Sequence, residues 1–378
     1  MSDKTKTQAS FNATQLQASA DSALNAVASA DTRAAELVDA WVQAGNAAAV
    51  ATVAERGSGP ARKAARRGLN VLRARGVKVE VAPHVTTFAA SEGAREHVTE
   101  AWLVGADAGG NVLIVIASRA ATSRAESGFF YLHDSVGVHS ATVGSLSGSG
   151  LKDALKRASE AGCEPVRVPV EYARQRVAEG REQLKSKSIP EPLGMTSGKE
   201  LLEPVPTSPV PHPLDSEGLE LADEDAKELA QKSAGLHLLR EFRNWLPERP
   251  AVDEMLQEIG EKLPKGAEQT PEVIQKIVKD AVEAATDRYF GPERRAVLAR
   301  RMKDCALSVL ATQGEVRALE VVATIKRIEQ AGLITDAPNE VPFLRAFFDK
   351  ALATLAVQGG GRLQVPVRQE PEAAPAAT

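Results

Sequence analysis

The apolar positions of this chain change period several times, and each change marks a new kind of element. Between 19 and 82 they recur at helical spacing. Leu37, Val38, Trp41 and Val42 stand at i, i+1, i+4 and i+5, which places them on one helical face that ends at Gly45. A short helix carrying Val50, Val53 and Ala54 follows. Gly59-Pro60 then opens a third helix, where the missing N–H of proline costs nothing. It presents Ala64, Ala65, Leu69 and Leu72 and stops at Gly76.

Between 95 and 185 the pattern turns β-like. Val98–Val104, Val112–Ala117, Gly128–Leu132 and Val136–Val143 read as strands, with Asp107-Ala-Gly-Gly-Asn111 as a turn. The run Val112–Ala117 is apolar throughout, so that strand is expected to be covered on both faces. Connections this short favour antiparallel pairing. Helices over 151–161 and 170–185 flank a short strand, Val166–Val168. Residues 186–215 read as a linker, with five prolines between Pro204 and Pro213 that favour extended polyproline II geometry. From 216 to 357 helical spacing returns in about six elements. Among them are Leu236–Trp245, a start at Thr270-Pro271-Glu272 and another at Gly291-Pro292-Glu293. Residues 1–18 and 358–378 read as disordered tails. The expected class is therefore α+β, mainly α, with an N-terminal helical-repeat fragment, a small antiparallel module and a C-terminal helical domain.

Composition sharpens this only a little. The 63 alanines in 378 residues raise the helical expectation. A formal charge of -4 supplies no global attraction to nucleic acid or acidic lipid. No apolar run approaches membrane-spanning length, and no basic-then-apolar leader opens the chain, so a cytoplasmic protein without a membrane partner is expected. Cys163 and Cys305 lack any CxxC or Cys/His spacing and read as buried thiols, with no metal and no cofactor expected.

The strongest local signal is cationic. Arg62, Lys63, Arg66, Arg67, Arg73, Arg75 and Lys78 lie on one segment without an intervening acid. Such a stripe suits phosphates or an acidic protein partner, although no aromatics interleave it for base stacking. A run of opposite sign stands at Asp215, Glu217, Glu220, Asp223, Glu224, Asp225 and Glu228 and is able to pack against the basic helix within one molecule or in a dimer. His133-Asp134 with His139 is the one cluster that suggests acid–base or metal chemistry, but no third ligand with sensible spacing accompanies it. Gly144–Gly150 joins a strand to a helix without a phosphate-loop or nucleophile-elbow pattern.

The Pro-led pair of helices rich in Ala, Arg and Leu resembles HEAT-like repeats over about 50 residues. Three blocks, Arg62–Val77, Phe242–Pro247 and Asp287–Met302, are similar to a class of bacterial proteins that implies no activity to carry over. The expectation is a non-catalytic binding or scaffold protein acting through helical surfaces and the basic stripe, with a protein partner. The alternative is an RNA- or ribosome-associated protein bound through the same helix; the oligomeric state is open.

Overall fold

The structure is a computed structural model, and it describes residues 11–57, 59–77, 97–120, 124–263, 270–332 and 336–360. Lys78 and the tail beyond 360 lie outside the described residues. The architecture is mainly α, with a single five-stranded antiparallel sheet among the described residues.

The first helices, α1 (Ala13–Leu16), α2 (Ala23–Ala30), α3 (Ala34–Ala44), α4 (Ala47–Arg56) and α5 (Gly59–Ala74), form a small unit. Its core holds Leu37, Val38, Trp41, Val50, Val53, Leu69 and Leu72. Gly45 closes α3 in the left-handed region at φ 73°, as its position suggested. Asn46 caps α4 by accepting from the Ala49 N–H. The segment read as a disordered tail is partly structured instead. The Trp41 indole donates to the Gln15 carbonyl at 2.7 Å, and Asn46 donates to the Ala18 carbonyl at 2.9 Å. These two buried donors need acceptors, and the incoming chain supplies them.

The sheet comprises β1 (His97–Val104), β2 (Asn111–Ala120), β3 (Ala125–His133), β4 (Gly137–Leu146) and β5 (Val166–Val168), ordered β4-β3-β2-β1-β5. Consecutive strands pair antiparallel, and β5 adds to the free side of β1. Val112 to Ala117 are buried without a break, so β2 is covered on both faces. Helix α6 (Gly148–Ser159) follows β4, and its N-terminus is capped by Ser147, which accepts from the Gly150 N–H at 3.1 Å. The Gly-rich turn thus ends in a serine cap. Helix α7 (Val170–Ser186) crosses β1 to β4. Its Gly180 meets the start of β4 closely: a Cβ there would stand 2.9 Å from Val138 Cγ2. Gly137, at φ 97°, faces the Gly180 carbonyl, where a Cβ would come within 2.2 Å.

The Pro-rich segment lies on the body as a strap. It forms two one-turn helices, α8 (Gly194–Ser197) and α9 (Lys199–Leu202), and a 3-10 turn, Pro213–Ser216. Met195, Leu201, Leu202 and Leu214 are buried along it. Then come α10 (Asp223–Ala230), α11 (Arg249–Lys262), α12 (Pro271–Tyr289), α13 (Pro292–Gln313), α14 (Glu315–Gln330) and α15 (Pro342–Gln358). The module and these helices share one continuous core from Ala101 to Ala351. No helix among the described residues is long and apolar enough to cross a membrane.

One expected helix does not form. Leu236–Trp245 is a 3-10 stretch, Ser233–Leu238, followed by turns. Leu239 takes an extended backbone at φ -68° and ψ 146°, which breaks the helix. The break lets Phe242 and Trp245 enter a ring cluster with Phe343, at centroid distances of 5.1 and 5.7 Å. Burial of those rings outweighs the local helical pattern. Gly180→Ala should destabilise the fold by about 1–3 kcal/mol through overpacking against Val138, read from the urea midpoint at unchanged m-value.

Candidate functional site

Helix α5 carries its cations on two sides of its own core stripe. Arg66 is buried and Arg73 half-buried, whereas Lys63, Arg67 and Arg75 are exposed and Arg62 is half-buried. Arg62 donates to the Ala54 carbonyl at 3.3 Å and so tethers α5 to α4. Lys63, Arg66, Arg67 and Arg73 meet acids from far along the chain. Arg66 reaches the Glu217 carboxylate at 2.8 Å and the Glu217 carbonyl at 3.4 Å. Asn70 donates to the Gly218 carbonyl at 3.3 Å. Arg73 bonds Glu315 at 2.9 Å. Lys63 lies 3.3 Å and Arg67 3.8 Å from Glu220, and Arg67 also stands 3.7 Å from Asp39.

The acidic run, whose ordinary reading is a solvated helix start, packs on the stripe within one molecule at Glu217 and Glu220. Its spacing explains how. Leu219 and Leu221 point into the main core, so Glu220 between them points out, as in an extended strand. Gly218 lies against α5 at φ 69°, and a Cβ there would come 3.0 Å from Arg66 Cβ. Further along, Asp215 meets Lys303 of α13 at 2.7 Å, and Asp223 meets Lys326 of α14 at 2.8 Å. Lys326 also donates to the Leu221 carbonyl at 2.7 Å. The exposed pairs contribute little each. Arg66–Glu217 is different, because both partners are about nine-tenths buried and loss of either leaves a charge away from water.

The histidine cluster does not converge. His133 sits in the β3–β4 turn, where its Nδ1 accepts from the Ser135 N–H and its Nε2 contacts the Gly109 carbonyl at 2.9 Å. That pattern assigns the neutral Nε2–H tautomer and occupies both ring nitrogens. Asp134 is held by Arg300 and Arg301 of α13. His139 packs against Tyr131, at a ring distance of 6.2 Å. Among the described residues no group of three or more potential metal ligands gathers. Cys163 and Cys305 read as isolated in sequence, yet the structure brings their sulfurs to 3.4 Å, both buried. Burial pushes the Cys305 thiol well up, and the Cys163 hydrogen bond adds to this, so its thiolate is scarce at neutral pH.

Two polar centres escaped the sequence reading. Asp304, buried on α13, accepts from Arg176 at 3.0 Å and from His212 at 3.1 Å, with the Tyr172 hydroxyl at 3.5 Å. Burial alone would raise its carboxyl; Arg176 and the His212 hydrogen bond outweigh that and hold it below the usual range. His212 Nδ1 accepts from the Leu214 N–H, so its Nε2 carries the proton given to Asp304. The second centre is His237, which contacts the Phe343 carbonyl at 2.9 Å and accepts from Lys350 at 2.8 Å. Burial, with the Lys350 charge adding, lowers His237 to about 4; burial lowers Lys350 to about 8.

A cavity of about 590 Å³ lies where the β1–β2 and β3–β4 turns meet α12 and α13. Trp245, Phe290, Leu298 and Phe347 line it with apolar surface, and Arg294 and Arg301 with charge. Arg294 stacks 3.9 Å over the Tyr289 ring while bonding Glu248. No protein-family profile, curated protein or solved structure matches the chain.

Two outcomes follow from these contacts. Glu217→Ala, which takes the carboxylate from the buried Arg66, should cost clearly more than Glu220→Ala, at less than about 1 kcal/mol, compared by urea denaturation. His237 binds fewer protons folded than unfolded between about pH 4 and the ordinary histidine value of 6.5. Its contribution therefore favours folding above pH 6.5 and falls by about 3 kcal/mol as pH drops to about 4. His237→Gln keeps an acceptor for Lys350 and should remove that part of the acid sensitivity in melts across this range.

Proposed function

We propose that this protein is a non-catalytic, cytoplasmic binding or scaffold protein that engages acidic protein segments through helix α5. The observation that carries the reading is the way α5 already holds an acidic turn of its own chain and the residues that follow it. It does so with Arg66 and Lys63 on the Glu217 and Glu220 carboxylates and with Asn70 on a main-chain carbonyl. Side-chain charge supplies attraction, and the carbonyl contact fixes the turn at Gly218. The outer edge of the helix continues the same chemistry. Arg67 and Arg75 are exposed there, beside half-buried Arg62. A helical unit with its own core, attached largely through polar contacts, suits presentation to a partner.

Nucleic acid is the less supported ligand. Arg66 and Arg73 already meet carboxylates, which lowers the positive charge open to phosphates. The test is affinity capture from native cells, with and without nuclease, using the natural chain and an Arg62→Glu/Arg67→Glu/Arg75→Glu variant. A protein partner that survives nuclease and is lost with the variant, at unchanged Tm, is expected. Material that vanishes with nuclease would replace this reading with RNA or ribosome binding.

A further inference from the structure

The cavity between the sheet turns and helix α13 combines an apolar floor with hydrogen-bond donors that lack acceptors. Arg301 enters it with Nε on Asp134, and its two terminal nitrogens donate to no acceptor among the described residues. Its guanidinium fits there because Gly110, at φ 88°, has no side chain: a Cβ would come 2.0 Å from Arg301 Nη2. Trp245 lines the same space, 4% exposed, and its indole N–H is sealed from water with no partner. Buried indole N–H groups ordinarily find one. The first turn of α13, a helix of 22 residues, also faces the cavity through Glu293 and Arg294. Its N-cap is Gly291, which offers no side-chain acceptor, so the N-terminal N–H groups are open.

Two of the three acids at this site, Asp134 and Glu248, are already engaged. Arg300 and Arg301 together face the single Asp134, and Glu248 is bonded by Arg294. Glu293 is exposed at the helix start. The terminal nitrogens of Arg301 thus stand without an acceptor beside apolar rings.

We propose that this cavity binds an amphipathic monocarboxylate, its carboxylate on the free fork of Arg301, its apolar tail against Phe290, Leu298 and Phe347. A planar fork matches a carboxylate through two parallel hydrogen bonds. The volume suits a chain of roughly ten carbons, at the scale of ordinary small-molecule sites. One free guanidinium and apolar walls favour this over a phosphate, which recruits several cations.

The test is calorimetric titration of the full chain with decanoate, decanol and inorganic phosphate. Saturable binding of decanoate at one site is expected, with decanol at least about tenfold weaker and phosphate not competing. Arg301→Met should weaken decanoate about tenfold or more. Val297→Phe, at a half-buried lining position, should fill the space and abolish binding while Tm is retained. It keeps the test decisive if Arg301→Met fails to fold. The proposal is overturned by absent saturation, by equal affinity for decanol, by competition from phosphate, or by decanoate binding that survives Val297→Phe.

Discussion

The joining of the N-terminal unit to the rest of the molecule depends on one short acidic stretch, Asp215 to Asp223. It ties α5, α13 and α14 together while its leucines are sunk in the main core. The two apolar cores do not merge, so what orients one body on the other is directional: ion pairs and carbonyl hydrogen bonds. Apolar contact tolerates sliding, whereas a buried guanidinium with fixed acceptors does not. Arg66–Glu217 is the most buried pair in that set, and Gly218 sets the closeness of approach. A side chain at 218 would push the strap away from α5.

Inside the larger body, polar groups define how helices meet the sheet. Asp304 gathers Arg176 from α7 and His212 from the strap onto α13. Such a network is costly unless complete, and the Arg176 Nε still lacks a partner. The proline-rich segment thus does more than span a gap. It places His212 beside a carboxylate that would otherwise share only Arg176 and Tyr172.

Much of the architecture was legible in the sequence because periodicity reports burial directly. The unbroken run Val112–Ala117 gave a strand covered on both faces, and Thr270-Pro271 and Gly291-Pro292 gave two helix starts at Pro271 and Pro292. The complementarity of the acidic and basic runs was legible as charge, with the intramolecular option among those considered. The helix expected at Leu236–Trp245 failed because three aromatic rings compete for one space, which no local pattern encodes. The Cys163–Cys305 contact spans 142 residues, and the Asp304 centre draws on three separate elements. Those juxtapositions arise from how strands and helices stack, and spacing along the chain carries no trace of them.

The separation between Arg66 and Glu217, 151 residues, bears on the order of synthesis. The N-terminal unit has its whole apolar core once Leu72 has been made, so it is able to fold on the ribosome as a unit of its own. Its orienting contacts must wait until the sheet and the proline-rich strap have followed it out. Through that interval the growing chain carries a folded, cationic knob on an incomplete body, and the arrival of Glu217 is the moment at which the two become one molecule.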